Sequence, residues 1–234
     1  MFSLIAFDAD DTLWQNEILY RQGHELFERL IAQYPVQGDP FERLTEIEIS
    51  NIRYFGYGVS DFVFSLIETA IELTGGRFSG KDVKALIDHA RYMLDAEVRL
   101  FDGVQATLEK LSRRFPLMLI TKGDLLHQNS KLKRSGLREY FRYVEVVSEK
   151  SAEAYAGILE KYAVSSGQFL MVGNSLRSDI LPVVEIGGWA VYIPAALSWE
   201  HENGEPPQVT HTYYEIQAMQ ELPDLIERID GQNH

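Results

Sequence analysis

Three carboxylates and a threonine follow directly on an apolar run near the start of the chain, where Leu4-Ile5-Ala6-Phe7 leads into Asp8-Ala9-Asp10-Asp11-Thr12-Leu13-Trp14. Asp8 and Asp10 stand one residue apart at the point where a strand gives way to a loop. Both can reach one metal ion or one substrate, by side chain or by backbone carbonyl. Crowded carboxylates repel one another unless a cation neutralises them, so a hard divalent ion with oxygen ligands is the expected companion. The same cluster has a plainer reading: Asp and Thr are favoured in turns and at helix starts, and Asp-Asp-Thr would serve there as a cap.

An apolar run of this kind reads as a central parallel strand, and in open α/β sheets ligands sit beyond the carboxyl ends of such strands. From Glu17 to Leu94 the pattern is helical. The periodic segments Glu17–Tyr34, Leu44–Tyr54, Asp61–Leu73 and Lys81–Leu94 are broken by Gly38-Asp39-Pro40, Gly56-Tyr57-Gly58 and Gly75-Gly76. From Phe101 onward helices and strands alternate. Helices are expected over Val104–Arg113, Leu125–Arg134 and Ala152–Tyr162, and a closing one over Ile216–Ile229. Strands are expected at Leu117–Thr121, Tyr143–Ser148, Phe169–Gly173 and Ala190–Ile193, and a loop over Glu200–Thr212. Alternation of this kind predicts a parallel sheet with right-handed crossovers. The first strand needs sheet partners on both sides, so the economical fold pairs it with the later strands. Residues 1–14 and 99–234 then form an α/β core with helices on both faces, and residues 15–98 an inserted helical domain.

Four strand ends fall on one edge of such a sheet: Asp8-Ala9-Asp10-Asp11-Thr12, Thr121-Lys122-Gly123-Asp124, Ser148-Glu149-Lys150, and Gly173-Asn174-Ser175-Leu176-Arg177-Ser178-Asp179. In this order the motifs resemble the haloacid dehalogenase superfamily, specifically its aspartate-nucleophile phosphatases with a helical cap inserted after the first motif. The resemblance spans the whole chain. It implies a magnesium-dependent phosphatase acting on a small-molecule phosphate monoester. Asp8 would be the nucleophile that forms an aspartyl-phosphate, and Asp10 the acid to the leaving alcohol and later the base for water. Thr121 would hydrogen-bond a phosphoryl oxygen, and Lys150 would balance the charge of Asp8 and phosphate, with Lys122 a rival cation. Thr12 would orient the loop, and Asp11 takes a variable place in the motif.

By the same resemblance, magnesium would be held by the Asp8 side chain, the Asp10 backbone carbonyl and an acid of the fourth motif. The sequence departs from the pattern here, because Gly173-Asn174 stands where Gly-Asp is the commonest form. Asn174 is expected to ligate through its carbonyl oxygen, more weakly than Asp would, with Asp179 supporting the site. Substrate choice would fall to the inserted helices, where Arg53, Tyr54, Phe55, Tyr57, Phe62 and Phe64 crowd together. Arg53 could read a second anionic group. The aromatics could stack on a ligand or simply fill a helical core. Closure of the cap would exclude water.

Other classes fit less well. A dehalogenase has no use for Asp10 as leaving-group acid, and a receiver-like binding module has no reason for some eighty inserted helical residues. A catalytically impaired relative that binds ligands or partners is an alternative raised by Asn174. Histidines at 24, 89, 127, 201, 211 and 234 show no metal-ligand spacing, and no Gly-x-Ser-x-Gly elbow is present. The net charge of -13, from 35 acids against 22 bases, argues against a nucleic-acid surface. The absence of cysteine excludes disulfides and thiolate metal sites. With no signal-like leader and no apolar run of membrane-spanning length, a cytoplasmic protein without a membrane partner is expected.

Overall fold

The computed structural model describes residues 2–197, 204–208 and 211–232. The chain divides into two compact units, residues 1–17 with 98–234, and residues 18–97.

The first unit is built on a six-stranded sheet. Its strands are β1 (Leu4–Phe7), β2 (Leu117–Lys122), β3 (Tyr143–Val147), β4 (Phe169–Gly173), β5 (Trp189–Tyr192) and β6 (Tyr213–Glu215), in the order β3-β2-β1-β4-β5-β6. Every neighbouring pair is parallel. β1 is central: Ile5 is in register with Leu117 on one side and Leu170 on the other. Its four residues are all buried, because both faces of the sheet are covered. The two-residue period of a strand sorts them. Ile5 and Phe7 face a core with Leu119, Val172 and the apolar sides of three helices, and Leu4 and Ala6 face a second core with Met118, Met171, Tyr155 and Val183.

The helices of this unit include α5 (Val104–Ser112), α6 (Leu125–Arg134), α7 (Ala152–Lys161), α8 (Leu181–Glu185) and α9 (Leu222–Gln232), numbered after the four helices of the other unit. Three elements differ from expectation: the short helix α8 between β4 and β5, the strand β6, and the start of the closing helix. β6 is unforeseen: three residues at the sheet edge are too few to show a periodic pattern. The closing helix starts at Leu222, not Ile216. Ile216 directly follows β6, and Glu221 turns back to accept from the N–H groups of Gln217 and Ala218 at 3.1 and 3.0 Å, which sets a 3₁₀ turn ahead of the helix. Part of the loop expected at Glu200–Thr212 lies outside the described residues; residues 204–207 within it form neither helix nor strand.

The second unit is a bundle of α1 (Glu17–Ile31), α2 (Pro40–Phe55), α3 (Val59–Leu73) and α4 (Gly80–Asp95). Phe27, Leu30, Leu44, Phe62, Leu66, Leu86 and Met93 form its core. Gly23 lets α1 approach closely: a Cβ there would lie 2.5 Å from the Phe62 ring and 3.0 Å from His89. Asp39 and Ser79 cap α2 and α4 with their side chains. No helix among the described residues is long and apolar enough to cross a membrane.

Candidate active site

The carboxyl end of β1 continues its ladder as far as Asp8, whose N–H donates to Val172 at 2.9 Å. The chain then turns sharply, with the N–H groups of Thr12 and Leu13 both donating to the Ala9 carbonyl at 3.3 and 2.8 Å. Asp11 takes a left-handed φ of 59°, which Asp tolerates better than most residues. Its carboxylate accepts from the N–H of Asn16 at 2.9 Å and of Glu17 at 3.0 Å, at the start of α1. The plainer reading of the acidic cluster therefore holds for Asp11, which shapes the turn. Burial pushes its carboxyl up to about 6, against the pull of those N–H bonds.

Asp8 is enclosed by groups from its own loop and from the ends of two other strands, β3 and β4. Lys150, the residue before the Ser151 cap of α7, donates to Asp8 Oδ1 and, at 2.7 Å, to Asp179 Oδ1. The other Asp179 oxygen accepts from the Ser175 N–H at 3.0 Å. Thr12 donates to Asp8 Oδ2 at 2.9 Å. Burial pushes the Asp8 carboxyl up to about 7, with Asp179 and Asp10 adding to the rise and Lys150 opposing it. Lys150 is 3% exposed, and although burial disfavours its charge, Asp179 and Asp8 hold it firmly protonated. Asp179 reaches this position because the segment Leu176–Ile180 is a single π turn, with the Ile180 N–H donating to Ser175. Gly173 makes room for it, since a Cβ there would overlap the Asp179 carboxylate.

Asp10 has a separate set of partners that sequence reading missed. Lys131 on α6 donates to both its oxygens, at 2.6 and 2.7 Å, Trp14 Nε1 to Oδ1 at 2.6 Å and Gln128 Nε2 to Oδ2 at 2.9 Å. Burial alone would raise the Asp10 carboxyl, but Lys131, helped by Gln128 and Trp14, holds it below the usual carboxylate range. The available signal was weak: Gln128 and Lys131 lie three apart on α6, one face of a helix that begins just after the second strand end.

Thr121 is the penultimate residue of β2, beside β1, and is buried; its hydroxyl makes a long hydrogen bond of 3.3 Å to the Lys122 carbonyl. Lys122 reaches across to Ser178 Oγ at 2.9 Å, close to Asp179 in the chain. Arg53 belongs to the helical unit, on α2, with its guanidinium carbon 4.6 Å from the Tyr54 ring centroid. Among the crowded aromatics, Phe62 fills the helical core while Tyr54, Phe55 and Phe64 are about half exposed or more.

A hard cation fits one corner of this site. The Asn174 amide atom that sits 2.9 Å from Thr12 Oγ1 is also 3.2 Å from Asp8 Oδ2 and 3.2 Å from the Asp10 carbonyl oxygen. Placed as oxygen, it stands from each of the last two oxygens at close to the edge length of an octahedron whose ligands lie ~2.1 Å from a central ion. Turned over, its NH₂ would donate to the same three groups. The donor set is one carboxylate, one carbonyl and one amide. Among the described residues no group of three His, Cys, Asp or Glu side chains is placed to hold a metal. Asp179 contributes indirectly, since both its oxygens are engaged by Lys150 and Ser175.

Residues 2–187 match the family of haloacid dehalogenase-like hydrolases, and the chain belongs to that family. A crystal structure of a haloacid dehalogenase-like hydrolase from Xanthomonas campestris superimposes with a TM-score of 0.88 at 37% identity, covering 99% of this chain and 93% of that one. Two curated relatives are N-acylneuraminate-9-phosphatase of Homo sapiens, 26% identical over 97% of this chain and 94% of its own length, and 5-amino-6-(5-phospho-D-ribitylamino)uracil phosphatase of Escherichia coli, 26% identical over 96% of both. The chain is a hydrolase of this family.

Proposed function

We propose that the chain hydrolyses a small-molecule phosphate monoester with the help of magnesium, through an aspartyl-phosphate formed on Asp8. The observation that carries this reading is the asymmetric wrapping of Asp8. One of its oxygens is held by Lys150, the other by Thr12 beside the oxygen corner of Asn174 and Asp10. Asp8 Oδ2, the Asp10 carbonyl and Asn174 Oδ1 would hold the ion. When bound it would supply positive charge against the transferring phosphoryl oxygens.

The chain's own residues would do the rest. Asp8 attacks phosphorus, breaking the bond to the ester oxygen and forming its own bond to phosphorus. Lys150, pinned by Asp179, balances the charge of Asp8 and the phosphoryl group at a fixed place, which costs no reorganisation during reaction. Thr121 donates its weakly committed hydroxyl to a phosphoryl oxygen. Asp10, ionised at rest, takes up a proton as the ester enters and gives it to the leaving oxygen; it then takes one from the water that cleaves the aspartyl-phosphate. Residues 18–97 stand as the inserted cap, and Arg53 there as the reader of a second anionic group. The names of the two curated relatives specify small-molecule phosphate esters, which supports that substrate class. The acidic, cysteine-free composition suits a cytoplasmic setting.

The test is phosphate release from an aryl phosphate and a panel of metabolite phosphates, with magnesium and with chelator, for the wild type and Asp8→Asn. Turnover that needs magnesium and is lost in Asp8→Asn is the expected result. Turnover that survives the substitution would refute the reading.

A further inference from the structure

Four donors close on the two Asp10 oxygens, and one side chain supplies half of them. Lys131 is 6% exposed, and its ammonium makes three contacts, to Asp10 Oδ1 at 2.6 Å, Asp10 Oδ2 at 2.7 Å and Asn16 Oδ1 at 3.2 Å. Gln128 is equally enclosed, at 5% exposed; it grips Asp10 Oδ2 while anchored at 2.6 Å to the Lys122 carbonyl. Trp14 closes the remaining side of Oδ1 at 2.6 Å. These four hydrogen bonds hold both oxygens, and the proton that Asp10 delivers to a leaving oxygen takes the place of one of them. Asp10 is therefore fixed in rotamer by α6, an element that supplies none of the groups around Asp8.

We propose that Lys131 is a positioning residue for the proton-transfer role of Asp10, with Gln128 as its assistant, so that α6 sets how well the enzyme handles esters whose leaving oxygen needs a proton. The inference rests on the reading of Asp10 given above. Its mechanism is geometric: a carboxyl free to swing off the leaving oxygen loses its contribution of roughly 10²-fold or more to the rate, whereas a leaving group that departs as a stable anion loses little.

The experiment compares kcat/KM, which reports only the steps through departure of the leaving group, for an alkyl phosphate accepted by the wild type and for p-nitrophenyl phosphate. Lys131→Met is expected to lower the alkyl value by on the order of 100-fold and the nitrophenyl value by about threefold or less. Lys131→Arg is expected to recover much of the alkyl loss. Equal losses for both esters, or no loss for either, would overturn the proposal. Because Lys131→Met leaves a buried carboxylate without its ion pair, Gln128→Met is measured beside it. It removes one donor and no charge, and its expected selective loss is about tenfold on the alkyl ester alone; an unselective loss counts against the proposal. Asp10→Asn on the same two esters separates the two failures. If it is not alkyl-selective, the role given to Asp10 is wrong and the proposal falls with it; if it is alkyl-selective and neither α6 variant is, the positioning inference alone is wrong.

Discussion

At the residue scale the site is a balance of buried charge. Asp8, Asp10 and Asp179 face Lys150 and Lys131, all of them at most partly exposed. Removing one partner of a buried pair leaves the other uncompensated, at a cost of about 3–5 kcal/mol. Lys150→Met is thus expected to lower stability by about that amount, and also to abolish activity. Chemical denaturation of the variant checks the first part; a loss below about 1 kcal/mol would mean that Lys150 is not the charge partner described. Asn174→Asp is expected to tighten magnesium binding by roughly tenfold, since a charged oxygen replaces a neutral one among the ligands. Titration of activity against magnesium measures it, and an unchanged half-saturation would remove Asn174 from the ligand set. The sequence was most legible at the end of the first strand, where burial and polarity conflict: Asp8 and Asp10 stand out as acids after an apolar run, whereas Thr121 and Lys150 were picked out by the order of the motifs in the family resemblance. Lys131 and Gln128 were not legible, because on an amphipathic helix a Gln and a Lys look the same whether they face solvent or a buried carboxylate.

Elements carry the next layer. Leu176–Ile180 as a π turn, Gly173 without a side chain and Asp179 behind Lys150 act as one unit. Gly173→Ala is expected to push Asp179 off Lys150 and to cost both stability and turnover, read by thermal melting and by kcat. In the helical unit, Asp61 on α3 is buried with one oxygen unpartnered, and burial together with Glu48 pushes its carboxyl up to about 7. The folded state therefore binds more protons than the unfolded chain between pH ~4 and ~7, so this group makes stability fall as pH rises through that window. Asp61→Asn is expected to raise Tm by several degrees at pH 8 and by little at pH 5; equal shifts at both would contradict that. Strands were readable where apolar runs were at least four long and bounded by turns. β6 has three residues at an edge, and the start of α9 depends on the Glu221 side chain folding back on Gln217 and Ala218. Neither feature leaves a periodic trace.

For the whole molecule, the parallel order β3-β2-β1-β4-β5-β6 is what brings distant segments to one edge: residues 8–12, 121, 150 and 174–179 lie at or just beyond the carboxyl ends of strands in the central sheet. This part of the architecture was legible from the alternation of helices and strands after residue 101, and from the need of β1 for partners on both sides. The departure at Asn174 was visible too, but not the way in which its amide closes on Thr12, Asp8 and Asp10, since that depends on the sharp turn after β1. The central claim is covalent catalysis by Asp8, and its most direct test is chemical trapping. Enzyme mixed with a phosphate ester and magnesium is quenched in acid within a turnover and its peptides are weighed. The account predicts one phosphoryl adduct, on the peptide that contains Asp8, absent from Asp8→Asn and lost once the ester has been consumed. Rapid turnover with no adduct at any quench time, or an adduct on another residue, would contradict it.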